Sequence, residues 1–418
     1  MQTSGRAAAV SLRPTEVFGA LKHPQYRLFW AGTCVSFVGT WVQNVALGLY
    51  VYRLTGSKAA LGAVGLVSGL PITLLLLYGG AIADRGDKRR ILFATQSLYA
   101  LSAFALAVLA ATGHARVWHI LGISFLNGLI FALDGPTRQS LVYDLVGPRD
   151  LATGVALQSA SFNVARVVGP AIGSVVYSSF GPAWCFAANG LSFGAVLLAL
   201  LFIRIPTHAD SSRVDAASQG VQASLDYLRH SWQASTVLLL TATASIFGVA
   251  NYQTLMPAIA RDTLGIAEQD ARYGFLFSAI GVGSLVAVYV VGFNARAGRR
   301  GINILAGAVG LGSALLLLSQ VRAYQLALFV FFVIGLSAVC QLATANSLTQ
   351  TLAPPGLRAR AVSLHMLAMA GLQPFGALLA GTIGQHFGTA ASLAAGGTMI
   401  LLVTGVLAVR RRGVYQLQ

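Results

Sequence analysis

Long stretches of this 418-residue chain contain no Asp, Glu, Lys or Arg, and they cover 28–52, 59–83, 91–115, 117–133, 151–165, 167–203, 230–260, 273–295, 301–321, 323–357 and 361–409. A helix needs about 20 apolar residues to cross the hydrocarbon core of a bilayer, so most of these stretches are of spanning length. The stretch 167–203 holds the end of one helix and the whole of the next, with Gly181-Pro182 as the joint. The stretch 361–409 divides in the same way at Gly384-Gln385-His386-Phe387-Gly388. Twelve helices are therefore expected, near 28–53, 59–83, 91–112, 117–144, 154–179, 182–203, 234–258, 273–295, 301–321, 323–352, 359–383 and 390–409.

Hydrophobic residues make up 56% of the chain and charged residues 10%, whereas a soluble domain carries about a quarter charged residues. The fold class expected is an all-α membrane protein with the lipid bilayer as its solvent. A formal charge of +16 would point to nucleic acid if the cations shared one face. They fall instead in short clusters between the apolar runs, so no nucleic-acid partner is expected. An even helix count puts both termini on one side, and 20 of the 28 Lys and Arg residues fall on that side, against 6 on the other and 2 within helices. By the positive-inside rule both termini are cytoplasmic. Residues 1–27 lack an apolar core with a small-residue cleavage site, so no cleavable signal is read there. Cys34, Cys185 and Cys340 are scattered through separate helices, which indicates neither a disulfide framework nor a metal site.

The domain plan read from the chain is a cytoplasmic N-terminal segment (1–27), a first six-helix bundle (28–203), a polar cytoplasmic linker (204–233), a second bundle (234–409) and a cytoplasmic tail (410–418). The halves repeat. Arg89-Arg90 corresponds to Arg299-Arg300 at an offset of 210, Gly147-Pro148 to Pro354-Pro355 at about 207, and Val168-Gly169-Pro170 to Leu372-Gln373-Pro374 at 204. Duplicated bundles of this kind are usual in secondary transporters, whose substrate sites lie near the midplane between the repeats.

Between the second and third helices lies Gly79-Gly80-Ala81-Ile82-Ala83-Asp84-Arg85-Gly86-Asp87-Lys88-Arg89-Arg90, echoed by Asn294-Ala295-Arg296-Ala297-Gly298-Arg299-Arg300 in the second half. This hairpin resembles the signature loop of the major facilitator superfamily, and the resemblance covers the whole chain. Gly39-Thr40-Trp41-Val42-Gln43, Tyr52-Arg53-Leu54-Thr55-Gly56-Ser57, Asp134-Gly135-Pro136-Thr137-Arg138 and Ala165-Arg166-Val167-Val168-Gly169-Pro170 are similar to the branch that holds bacterial enterobactin exporters and macrolide efflux proteins. The resemblance implies two pseudo-symmetric six-helix bundles, a monomer in a bacterial inner membrane, and export of amphiphilic drugs, macrolides or siderophores in exchange for protons. It implies no cofactor. No nucleotide cradle, metal spacing or nucleophile elbow argues for an enzyme. Lysophospholipid flipping, uptake symport and a non-transporting sensor are the alternatives on the same fold.

Gly80, Asp84, Arg85, Asp87, Arg89 and Arg90 are the gating candidates of the hairpin. Gly80 permits close approach of a neighbouring helix, and Asp84 is placed to engage the positive end of that helix. The resemblance implies that this contact latches the halves in the outward-facing state. A basic hairpin also fixes topology alone. Asp144, at the cytoplasmic end of the fourth helix, is expected to meet Arg85 or Arg89. Gly169, Pro170 and Gly173 resemble the helix-five motif of drug and proton antiporters, with Ser174 where glycine is usual, and the small residues Ser161, Ala165, Gly169 and Gly173 also suit plain close packing.

Asp134 is the one acid near the middle of an expected helix. Burying a charge there costs about 2.5 to 3.5 kcal/mol on insertion scales, so Asp134 is expected to face the cavity and either pair or take a proton. Asn127, Phe131, Asp134 and Arg138 share one helix face. Two readings stand for Asp134 and Arg138: an intrahelical pair serving structure, or a proton-coupling site. Arg166 shares a face with Ser159, Asn163 and Pro170. With Arg138 it would give the cavity a positive element suited to anionic or hydroxyl-rich substrates, or it would close a network with Asp134. Ser124 stands where the proton-antiporter motif has arginine.

Ser36, Thr40, Gln43 and Asn44 form a polar stripe on the first helix, and Asn251 with Gln253, Asn346 with Gln350, and His365 with Gln373 are counterparts on the seventh, tenth and eleventh. Interhelical glue, at roughly 0.6 kcal/mol each, accounts for any one of them. As a set on cavity-lining helices they are substrate candidates, with Trp41, Phe131 and Tyr252 as an aromatic surface.

Overall fold

The computed structural model describes residues 18–203, 231–296, 298–354, 357–411, 413 and 415, the side chains of 76–85, 295, 296 and 359 excepted. The N-terminal segment and nearly all of the linker at 204–233 therefore lie outside the described residues, as do the side chains of Gly80, Asp84 and Arg85.

The helices are α1 (Pro24–Thr55), α2 (Lys58–Arg85), α3 (Lys88–Ala111), α4 and α5 (117–146 and 148–180), α6 (Pro182–Phe202), α7 (Trp232–Thr263), α8 (Arg272–Arg296), α9 (Arg300–Leu318), α10 (Tyr324–Leu352), α11 (358–387) and α12 (Thr389–Arg410). By continuous hydrogen bonding α4 and α5 form one 64-residue helix. Gly147 breaks it, because its backbone takes φ 71° and ψ 175°, a conformation in which a Cβ is strained. Pro148 follows in the position where its fixed φ and missing N–H start a helix without loss. Divided at Gly147, the described residues thus hold twelve helices long and apolar enough to cross a membrane. Helix α5 begins earlier than the sequence implied, since a single glycine turns the chain where a loop was expected. Arg149 and Asp150 lie in its first turn, and the Asp150 carboxylate meets the His23 ring at 2.9 Å. Helices α7 and α11 run past their expected ends. π-helical turns at Ala244–Val249, Ile259–Thr263 and Leu367–Gly371 insert extra residues into them without ending the helix.

Helices α1–α6 pack together as one half and α7–α12 as the other. The halves meet through α2 against α11 and α5 against α8, the two pairings that a pseudo-twofold exchange of the halves interconverts. Both seams depend on small residues. A Cβ at Gly62 would lie 2.7 Å from the Ala377 carbonyl oxygen, and one at Gly274 would collide with the Pro170 carbonyl oxygen. Van der Waals contact at such distances is what holds helices together in lipid, where no hydrophobic effect separates them from the acyl chains. Large apolar side chains such as Leu101, Trp184, Leu191, Phe202 and Tyr289 are more than half exposed, as a lipid-facing surface requires.

Candidate functional site

A cavity of about 440 Å³ lies on the boundary between the halves, lined by Asn44, Phe131, Gln253, Phe277, Gln373 and the small residues of α2. Its size falls within the roughly 300–1,000 Å³ usual for small-molecule sites. Toward the end away from the termini a separate space of about 10 Å³ lies between Leu49, Tyr52, Arg53, Ile266, Glu268 and Tyr273, room for about one water molecule.

Polar contacts between the halves gather at this narrow end. Arg53 Nη1 is 3.2 Å from Glu268 Oε1, and the Tyr177 hydroxyl donates to the same oxygen at 2.6 Å. Lys58 Nζ is 2.9 Å from Asp262 Oδ2, to which the Tyr52 hydroxyl donates at 2.6 Å. The Gln385 side-chain oxygen accepts from the Lys58 N–H at 2.8 Å and the Ser57 hydroxyl at 3.2 Å. In each ionic unit the carboxylate comes from the second half, and the cation and tyrosine from the first. A third pair, Asp270 with Arg272 at 2.6 Å, stays within the second half, and its hydrogen bond holds the Asp270 carboxyl below the usual carboxylate range.

At the end that carries the termini, the polar contacts among the described residues stay within one half. Lys88 Nζ meets Asp144 Oδ2 at 2.6 Å, where Arg85 or Arg89 was expected. The reason lies in where α3 begins. Asp87 is its N-cap and accepts from the Arg89 and Arg90 N–H groups, which puts Lys88 in the first turn beside α4. Arg89 turns to α6 and donates to the Leu200 and Leu201 carbonyl oxygens at 2.7 and 2.9 Å, satisfying carbonyls that a helix C-terminus leaves free.

Asp134 is buried within the first half instead of facing the cavity. One carboxylate oxygen accepts from Thr95 at 2.9 Å and Gln96 at 2.7 Å. The other accepts from Arg138 Nε and Nη2 at 3.3 and 3.0 Å. Arg138 also donates to Thr33 at 3.2 Å, and its guanidinium lies 5.6 Å from the centre of the Phe37 ring. The network ties α1, α3 and α4 together. Arg166 is absent from it. Asn127, expected on the same face, instead accepts from Ser102 of α3 at 2.8 Å, while Phe131 lines the cavity.

The other candidates separate into two groups. Asn44, Gln253 and Gln373 line the cavity, with Gln373 donating to Gln253 at 3.0 Å, while Arg166 of α5 lies outside that lining, within electrostatic reach of the buried Tyr252 of α7. Ser36 is buried, Thr40 donates to the Ser36 carbonyl, and Gln43 accepts from Asn189 at 2.9 Å. Asn251 donates to the Ser392 carbonyl at 2.8 Å, Gln350 to Asn346 at 3.1 Å, and Asn163 to Ser159 one turn earlier. His365 is wholly buried, and neither ring nitrogen has a partner among the described residues. Gly169 and Gly173 admit Trp41 and Val42 of α1, and the Pro170 carbonyl abuts Gly274 of α8.

Residues 15–414 match the family model described as transmembrane secretion effector. The staphyloferrin A transporter of Staphylococcus aureus (strain NCTC 8325 / PS 47) is 26% identical over 63% of this chain and 66% of its own length, just under two thirds of that transporter. The enterobactin exporter EntS of Shigella boydii serotype 18 (strain CDC 3083-94 / BS512) is 24% identical over 92% of this chain and 91% of its own. Among solved structures, the nucleoside transporter NupG superposes with a TM-score of 0.71 at 12% identity, covering 94% of this chain and 100% of NupG. A bacterial homologue of the human lysosomal transporter Spinster, captured inward-facing and occupied, gives 0.68 at 15% identity over 93% and 95%.

Proposed function

The chain belongs to the transmembrane secretion effector family of major facilitator transporters, and from that premise we propose that it exports amphiphilic small molecules of the siderophore type from a bacterial cell by alternating access, in exchange for protons. The observation that carries this reading is the asymmetry of the ion pairs between the halves: among the described residues they all lie at the end away from the termini. With the termini assigned to the cytoplasm by the distribution of Lys and Arg, this arrangement supports an inward-facing reading, the state from which an exporter loads. Rocking of the halves about the α2–α11 and α5–α8 seams would then part the Arg53–Glu268 and Lys58–Asp262 pairs and open the cavity to the outside.

Support for a siderophore-type substrate comes from two relatives, one named as a staphyloferrin A transporter and one as an enterobactin exporter. Asp134 accepts hydrogen bonds from four donor groups, two of them on Arg138, which favours the structural pair over proton carriage for this residue. The test is transport by the purified chain in proteoliposomes with an imposed pH gradient, using enterobactin and staphyloferrin A as substrates. Gradient-dependent accumulation that an uncoupler abolishes supports proton-driven export. Accumulation unaffected by the uncoupler would remove the proton, and movement of neither compound would remove the siderophore assignment.

A further inference from the structure

We propose that Arg166, on the side of α5 turned to the boundary between the halves, forms an anion-binding subsite beside the Gln253–Gln373 amide pair that lines the cavity, and that the substrates are amphiphilic organic anions with an aromatic or otherwise flat body. This inference rests on the export reading and supplies its substrate class.

The position of Arg166 follows from what the rest of α5 touches. Gly169 and Gly173 press against α1, while Val167, Pro170 and Ser174 meet Gly281 and Gly274 of α8. Val164, Val168, Ile172 and Val175 are 41–53% exposed on the outer side. At 100° per residue, Arg166 falls between the α1 and α8 faces and opposite the outer one, which is the side turned to the boundary between the halves. There it is within electrostatic reach of Tyr252 of α7, which is buried. Tyr252 neighbours Gln253, whose side-chain oxygen accepts from Gln373 at 3.0 Å. Polar groups of α5, α7 and α11 thus face the boundary from both halves.

Charge distinguishes the two intramembrane arginines. Arg138 is paired with Asp134 at 3.0 Å. Arg166 has no carboxylate in ion-pair reach among the described residues, whose seven pairs involve other groups. A lone guanidinium deep in a membrane protein is costly unless something offsets its charge, and such residues mark substrate paths. Its planar fork of N–H donors fits a carboxylate at two points and a phenolate at one. A cationic substrate would meet repulsion here.

The body of the ligand is read from the residues beside it. Phe162 stands one turn from Arg166 on the same face and is 43% exposed. Its ring centre is 5.4 Å from that of Phe37, edge to face, and 5.8 Å from that of Trp41. The Trp41 Nε1–H is buried with no acceptor among the described residues, a donor that an oxygen-bearing ligand would satisfy. A flat ring on this ledge, with its anionic group one helical turn away at Arg166, uses both features.

The experiment compares two dyes that share a xanthene ring system and differ in charge, 6-carboxyfluorescein (anionic) and rhodamine 6G (cationic). Binding is measured by fluorescence anisotropy to the full chain in nanodiscs of neutral phosphatidylcholine. The native chain is expected to bind 6-carboxyfluorescein at least tenfold more tightly than rhodamine 6G. Arg166→Gln should abolish that preference, and Arg166→Lys, which keeps the charge but loses the fork, should weaken the anion at least threefold. Equal binding of the two dyes by the native chain would overturn the proposal, and so would an anion preference kept within twofold in a monodisperse Arg166→Gln variant. If that variant does not yield monodisperse protein, unchanged anion affinity in Arg166→Lys overturns it. Selective anion binding without gradient-driven transport of the dye or of either siderophore would leave the subsite standing and remove the export reading. Siderophore export without anion preference would do the reverse.

Discussion

Arg53 on α1 and Glu268 on the connection between α7 and α8 form an ion pair of 3.2 Å across the boundary between the halves. Glu268 is also bound by the Tyr177 hydroxyl of α5, so one carboxylate of the second half holds two helices of the first. Asp262 repeats the arrangement with Lys58 and Tyr52.

Neutralising either carboxylate should shift the chain toward the state open at that end. The pairs are partly exposed, with side-chain exposures of 41% and 27% for Arg53 and Glu268, so each is worth no more than about 1 kcal/mol, or roughly fivefold in the equilibrium. A cysteine placed at Ile266, now buried, should be labelled from the outside on the order of fivefold faster in Glu268→Gln or Asp262→Asn, measured above the background of the three native cysteines. Asp270→Asn is the control, since Asp270 pairs with Arg272 within one half. Equal labelling in all variants would show that these pairs do not hold the seal.

The Asp134 network leads to a different pattern of loss. Arg138→Ala strands a buried carboxylate and should destabilise the first half by about 3–5 kcal/mol, seen as a lower unfolding temperature in detergent and a poor yield of monodisperse protein. Asp134→Asn keeps an acceptor for Arg138 and the side-chain volume, so a milder loss is expected. In the protein that folds, gradient-driven transport should persist. Transport that stops while the unfolding temperature is unchanged would return proton carriage to Asp134.

Much of this was legible before any coordinates. Charge-free runs of spanning length mark the helices because lipid excludes charge whatever the tertiary structure. The break at Gly147-Pro148 is readable as a turn, but not its tightness, since that depends on one glycine reaching a positive φ. The seal was missed for a different reason. Arg53, Lys58, Asp262, Glu268, Asp270 and Arg272 stand on one side of the membrane, and in the sequence only the cations were counted, as topology markers. The acids of that side gather at the end of α7 and in its connection to α8, and two of its cations lie at the α1–α2 turn, a complementarity that was the available signal. Helical spacing put Asn127, Phe131, Asp134 and Arg138 on one face, but it cannot say which neighbour that face meets. Phe131 reaches the cavity while Asp134 turns to Thr95 and Gln96 of α3.

Close packing at the α5–α8 seam gives a steric prediction. A methyl at Gly274 would collide with the Pro170 carbonyl oxygen and the Ser174 side chain, and backbone on a packed helix cannot retreat without parting the seam. Gly274→Ala should therefore cut transport by tenfold or more while leaving the protein in the membrane. Gly122→Ala, where a methyl meets nothing within 4 Å, should be silent and slightly favour its helix. Comparable rates for the two variants in the same vesicles would count against the seam as a pivot.

The hairpin between α2 and α3 should act with the opposite sign to the outer seal. Its resemblance to the superfamily loop implies a latch that holds the terminal end closed when the other end is open, with Asp84 as the residue that engages a neighbouring helix. Asp84→Asn should then favour the inward-facing state, whereas Glu268→Gln favours the outward-facing one. If both act on one equilibrium between two states, their free energies add because the sites lie at opposite ends of the molecule. The double variant Asp84→Asn, Glu268→Gln should thus bring labelling at the Ile266 position back toward the native rate, while transport stays slow because both closed states have lost a contact. Labelling in the double variant as fast as in Glu268→Gln alone would show that Asp84 contributes nothing to the latch, and the hairpin would then be left with the setting of topology.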